Sequence, residues 1–273
     1  MITKTIDLYQ YYGIKRPENA AGYLTTYVLD PIYEGRKRPA MLVIAGGGYS
    51  MVSNREAEPI AMAYMVKGFN AFTLDYSVKP VTFPAQLIEA CMAMAYVREN
   101  AEELMVDKEH VSAIGFSAGG HLCGMLATMP FEKEVKDVLK EKTMLCRPDA
   151  VILSYPVACS FNKPHQNSID NLSGKDIEIQ KRISIEARVD SESSPAFIWT
   201  TVSDGCVPSE NSLEVAYAYK KNGVPFELHM FEKGSHGLSV ATKETGYVNV
   251  PVQEWVGLSI TWLRERGFDI IDK

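Results

Sequence analysis

Along the chain, short apolar and β-branched runs alternate with longer helix-like stretches. The apolar runs predict strands over residues 22–29, 40–45, 71–75, 111–115, 150–154, 196–201 and 226–231. The intervening stretches predict helices over 56–67, 84–103, 118–128, 209–222 and 252–266. Alternation of this kind builds an α/β fold, a mostly parallel sheet with helices on both faces. Several strands, such as Met41-Leu42-Val43-Ile44, are nearly continuous apolar runs, as strands covered on both faces are. Pro84 suits the first turn of a helix, where its missing N–H leaves no bond unmade. Asn222-Gly223 closes the 209–222 helix, because Gly223 can take the left-handed conformation.

One segment breaks the alternation. Residues 157–194 are polar and irregular, with short helical patches such as 176–182. Lying between two predicted strands, the segment reads as a small lid-like insertion over the C-terminal edge of the sheet. A plain surface excursion has the same composition. The whole chain, 1–273, reads as one domain carrying this insertion.

Composition narrows the function classes. The 273 residues are 46% hydrophobic and 23% charged, which suits a globular protein with a substantial core. Net charge is −6 and no run of five or six like charges occurs, so neither a nucleic-acid nor a membrane partner is expected. No apolar run approaches the ~18 residues that a spanning helix needs. Met1-Ile2-Thr3-Lys4-Thr5-Ile6-Asp7 has neither the basic stretch nor the apolar core of a signal peptide, so a cytoplasmic location is expected. The cysteines Cys91, Cys123, Cys146, Cys159 and Cys206 are odd in number and form no Cys-x-x-Cys pair; reduced thiols are expected, and no zinc site. Oligomeric state is left open.

The chemistry starts at Gly115-Phe116-Ser117-Ala118-Gly119. A β-branched strand enters this Gly-x-Ser-x-Gly turn and a helix-forming stretch leaves it. Such a turn strains the serine backbone and projects the hydroxyl over the sheet edge, while the flanking glycines allow close backbone approach. A serine hydroxyl needs a base. Of the five histidines, His110 precedes the strand, His121 lies one helical turn past Ser117, His229 is inside a strand and His165 is in the irregular segment. His236 sits in the glycine-flanked loop Lys233-Gly234-Ser235-His236-Gly237 after the last predicted strand, where open α/β sheets place their chemistry. Asp204 follows the strand ending at Thr201 and is the candidate acid, ahead of Asp75 and Asp190. The order Ser117, Asp204, His236 is that of α/β hydrolases. Ala45-Gly46-Gly47-Gly48-Tyr49 follows another strand, and its N–H groups suit an oxyanion hole. Gly47, Gly48 and Ala118 are the candidate donors, with Tyr49 an alternative. A phosphate-cradling loop would need a Gly-Lys-Ser/Thr ending or Gly-x-Gly-x-x-Gly spacing, and neither is present.

With these residues placed, the sequence resembles the α/β-hydrolase carbohydrate acetylesterases, the acetyl-xylan esterase-like or alpha/beta hydrolase fold-3 type. The resemblance runs through Gly46-Gly47-Gly48-Tyr49, Arg55-Glu56-Ala57-Glu58-Pro59, Gly115 to Leu122, Ser203-Asp204-Gly205-Cys206-Val207-Pro208 and Lys233 to Ser239. It implies the α/β-hydrolase fold and a serine esterase that removes acetyl groups from carbohydrate, with a small-molecule or oligosaccharide ester as partner and no metal or organic cofactor. Relatives often begin the glycine loop with histidine where this chain has Ala45, which bears on how the loop is held. General short-chain carboxylesterase, formamidase, peptidase-like and non-catalytic binding readings share the same frame.

Overall fold

The computed structural model describes residues 1–270; residues 271–273 of the single-domain reading lie outside the described residues. Among the described residues eight strands form one sheet, in the order β1-β2-β4-β3-β5-β6-β7-β8. They are β1 (Thr5–Asp7), β2 (Tyr23–Tyr27), β3 (Arg38–Ile44), β4 (Asn70–Asp75), β5 (Val106–Phe116), β6 (Val151–Ser154), β7 (Ala196–Thr201) and β8 (Phe226–Phe231). From β4 to β8 all neighbours are parallel, while β1 and β2 form an antiparallel margin.

The chain runs from β3 outward to β4, then returns past β3 to β5. That reversal makes β3 and β5 the switch point of the sheet, and open α/β sheets bind ligands just beyond such points. Every residue of β3 is buried. Met41 and Val43 pack on one face with α2 (Glu58–Met65) and α9 (Val250–Arg264). Leu42 and Ile44 pack on the other, with α3 (Ala85–Glu99), α4 (Ala118–Thr128) and α8 (Glu210–Asn222). Alternate side chains of a strand point to opposite faces, so two apolar layers need an apolar residue at every position.

Each predicted strand is present, with some bounds moved. The strand predicted over 111–115 is the end of the longer β5, whose first half is polar. Asn54–Glu56 is a short 3₁₀ turn that precedes α2, rather than the opening of one longer helix. Pro84 stands just before α3 instead of in its first turn, and Gly223 closes α8 at φ 70°. Not predicted were β1, α1 (Leu8–Tyr12) and α5 (Lys133–Leu139). The irregular segment contains α6 (Gln166–Ser173) and α7 (Ile177–Ile183), the second over the expected helical patch.

Candidate active site

Ser117 lies between β5 and α4 with φ 53° and ψ −119°. A non-glycine residue in this region is under strain, and the glycines around it show what holds the turn. A Cβ on Gly115 would come within 2.1 Å of the Gly119 carbonyl oxygen; one on Gly119 would come within 2.2 Å of the Ile44 oxygen. The turn closes only because both positions lack side chains. The Ser117 N–H donates to the Ser154 carbonyl at 3.0 Å, which ties the turn to the end of β6.

The structure brings Ser117, His236 and Asp204 together. Ser117 Oγ and His236 Nε2 are 2.8 Å apart, and His236 Nδ1 and Asp204 Oδ2 are 2.7 Å apart. The Asp204 side chain is only 1% exposed. Its second oxygen accepts from the N–H groups of Cys206 (2.8 Å) and Val207 (3.0 Å), so the carboxylate is satisfied and fixed in orientation. The imidazole keeps 19% of its surface exposed, and its ring meets Tyr155 edge-on with 4.9 Å between centroids. A serine bonded to an imidazole that is itself held by a carboxylate can lose its proton as it attacks an acyl carbon.

The glycine loop faces the same space. Gly47, Gly48, Ser117 and His236 line one cavity of about 770 Å³. The Gly46 carbonyl accepts from Ser53 N–H at 2.9 Å, and the Gly47 carbonyl from Ser50 and Met51 N–H at 3.0 and 3.2 Å. In a trans peptide the N–H points opposite to the preceding C=O, so the Gly47 and Gly48 N–H groups are turned away from those donors. Gly46 is different, since its own N–H donates to Glu56 Oε2 at 2.9 Å. Ala118 is the first residue of α4, where an N–H has no partner within the helix. Tyr49, the alternative donor, has its side chain fully buried, with the hydroxyl 2.8 Å from His121 Nδ1.

Sequence reasoning missed what holds this loop. Glu56, 3% exposed, accepts from Gly46 N–H and from the Tyr155 hydroxyl at 2.6 Å. The same Tyr155 oxygen accepts from Ser239 N–H at 2.9 Å, and Ser239 Oγ donates to the Arg55 carbonyl at 2.6 Å. Three hydrogen bonds thus connect the glycine loop to the loop carrying His236. Burial raises the Glu56 carboxyl above its ordinary range, opposed by its bonds from Tyr155 and Gly46. The only sequence signal is Arg55-Glu56 itself, within the motif that carries the resemblance. Ala45, which opens the loop, is held through its carbonyl, which accepts from Tyr76 OH at 2.8 Å. Asn171 of α6 adds a bond to the Gly48 carbonyl at 2.8 Å.

The other histidines are elsewhere or have other partners. His110 pairs with Asp107 at the entry of β5, and His229 stacks on Phe197 beside Glu227. His121 is fully buried between Tyr49 and the Ile183 carbonyl, and burial lowers its pKa to about 4. His165 does reach the cavity, 3.6 Å from Cys206 Sγ, and burial lowers its pKa. Cys206 is the exposed one of five free cysteines; burial and the nearby Asp204 charge raise its pKa, which favours the thiol. Of the rival acids, Asp75 lies in a neighbouring pocket and Asp190 bonds to Ser193. Among the described residues no cluster of three or more His, Cys, Asp or Glu is arranged to hold a metal ion, and no helix is long and apolar enough to cross a membrane.

Sheet order and site together define an α/β hydrolase. Residues 28–219 match the BD-FAE family, and the chain belongs to that family. It is 39% identical over 215 residues to endo-1,4-beta-xylanase B of Butyrivibrio fibrisolvens, which covers 76% of this chain and 34% of that protein. It is 29% identical over 214 residues to an acetylxylan esterase of Xylanibacter ruminicola, covering 74% of this chain and 42% of the other. The chain therefore spans less than half the length of these curated relatives. A solved structure, the acetyl ester-xyloside bifunctional hydrolase of Caldicellulosiruptor lactoaceticus, is similar over 97% of both chains, with 33% identity and a TM-score of 0.84.

Proposed function

We propose that the chain is a serine esterase that removes short acyl groups, acetyl foremost, from O-acetylated carbohydrate such as xylo-oligosaccharides. The observation that carries the esterase reading is the unbroken relay from Ser117 Oγ through His236 to the buried Asp204 carboxylate. The carbohydrate part is supported by similarity to an acetylxylan esterase and an acetyl ester-xyloside hydrolase, and by a cavity whose lining includes Asn54, Lys79, Asn167 and Asn171.

In this reading His236 Nε2 takes the Ser117 proton as Oγ bonds to the ester carbonyl carbon. The N–H groups of Gly47, Gly48 and Ala118 receive the oxyanion. The carbon–oxygen bond to the sugar then breaks, and the alcohol leaves with the proton from His236. Water, deprotonated by the same imidazole, attacks the acyl-Ser117 carbonyl, and the carboxylic acid and free serine are restored. Asp204 keeps the imidazole in the tautomer and orientation that both halves need.

Ser117→Ala should keep its fold and lose on the order of 10⁶ in turnover of p-nitrophenyl acetate; near wild-type turnover refutes the assignment. For the acyl group, kcat/KM on p-nitrophenyl esters should fall steeply from acetyl to octanoyl, and acetate should be released from acetylated xylo-oligosaccharides. Near-equal rates along the acyl series, with no acetate from the sugars, would make the chain a general carboxylesterase instead.

A further inference from the structure

A second pocket, lined by polar and apolar residues together, adjoins the Ser117 cavity. It measures about 840 Å³ beside about 770 Å³ for the first, and the two share Val52, Asn54 and Arg55 as a common wall. Both volumes are within the roughly 300–1,000 Å³ of small-ligand sites. The second pocket lies along β2 and the end of β4, and its lining includes Tyr27, Thr73, Asp75 and Glu244. Arg55 reaches over the His236 loop, its Nη2 3.0 Å from where a Cβ on Gly237 would stand. Among the described residues the side chains of Asn54, Arg55, Asp75 and Glu244 have no hydrogen-bond or ion-pair partner.

We infer that this pocket seats the neighbouring sugar units of an oligosaccharide ester whose acetylated unit occupies the Ser117 cavity. The inference rests on the carbohydrate-esterase reading above and extends it to chain length and charge. Sugar hydroxyls donate and accept at once, and an amide, a guanidinium and two carboxylates in the lining offer both kinds of partner. An apolar occupant would leave these groups unpaired, at a cost for each. Charge refines the class: Glu58, Asp75 and Glu244 outnumber Arg55 around the pocket, so a neutral sugar is favoured over one carrying a uronate.

The test compares kcat/KM for acetylated xylose, acetylated xylotriose and an acetylated xylo-oligosaccharide bearing glucuronate, with p-nitrophenyl acetate turnover used to normalise for folded enzyme. The wild type should prefer the neutral triose over the monosaccharide by about tenfold or more, the worth of one or two added hydrogen bonds. The uronate-bearing substrate should be the poorer of the two oligosaccharides. Asp75→Ala should shrink the triose-to-monosaccharide ratio several-fold, as should Glu244→Ala on its exposed turn, which gives a second reading should the first variant fold poorly. A wild-type ratio near one, or a ratio unmoved by both substitutions, overturns the second seat while leaving the esterase reading intact. Turnover of p-nitrophenyl acetate with none of the acetylated sugars removes the carbohydrate reading itself and this inference with it.

Discussion

The hydroxyl of Tyr155 makes two of the bonds that hold the site together, donating to Glu56 and accepting from the Ser239 N–H. Both partners are buried, so removing the oxygen strands a carboxylate oxygen and an amide at once. Tyr155→Phe should therefore destabilise the fold by about 1–3 kcal/mol for an unsatisfied buried group, read from urea denaturation. It should also lower kcat on p-nitrophenyl acetate more than it raises KM, because the loops it joins carry the base and the oxyanion donors. An unchanged kcat would restrict Tyr155 to stability. His121 offers a pH test. Burial lowers its pKa from an ordinary value near 6.5 to about 4, so between those values the unfolded chain binds a proton that the folded one does not. Stability from this group is full above pH 6.5 and is lost as pH falls toward 4. At about 1.4 kcal/mol per pKa unit, that is on the order of 3 kcal/mol. Buried Glu56 and Glu89 are shifted upward and act in the opposite sense, so the comparison must be between wild type and His121→Gln. The wild-type advantage should shrink from pH 7 to pH 4 by about that amount, and a pH-independent difference would refute the assignment.

At the scale of elements, the close approach of α4 to β3 sets the position of Ser117, and Gly119 permits it. A methyl group there would meet the Ile44 and Ala45 carbonyl oxygens at 2.2 and 2.4 Å. These are backbone atoms of the switch-point strand and its loop, and neither can rotate aside. Gly119→Ala should cost about 1–3 kcal/mol or more as an overpacked core site, and should move Ser117 off the His236 bond. Gly205→Ala is the control, since a Cβ there meets nothing within 4 Å, and a surface change of that kind stays within about 0.5 kcal/mol. Comparable thermal midpoints for the two variants would show that the clash is relieved. This element was legible in sequence because its signal is local: strand, tight turn and helix lie within a few residues. The parallel strands were legible for a related reason, since covering both faces makes the whole strand apolar. What escaped was non-local or short. Glu56 and Tyr155 are 99 positions apart, so neither residue type announces the other. The three residues of β1 are too few to show alternation, and the polar first half of β5 carries no apolar pattern.

At the scale of the molecule, the irregularity of segment 157–194 reads as lid-like, whereas its contacts are those of a docked wall. Its apolar residues Ile169, Leu172, Ile183 and Ile185 are at most 1% exposed and belong to the same core as α3 and α4. It is bonded on several sides. Asn171 holds the Gly48 carbonyl, the Ile183 carbonyl meets His121, and the Leu172 carbonyl accepts from Phe83 N–H at 2.8 Å. Asn211 of α8 accepts from the N–H groups of Ala158 and Cys159, both at 3.0 Å. Opening the segment as a unit would expose four large apolar side chains, at about 1.5–3 kcal/mol each, and break these bonds together. Local openings that cost this much approach global unfolding. In hydrogen exchange, the amides of Ile169, Leu172 and Ile185 should exchange about as slowly as those of β3 and β6. Exposed positions such as Phe161 and Asn162 should exchange quickly. Fast exchange across the whole segment would instead mark a lid that opens, and His165, which it carries to the cavity, would then move with it.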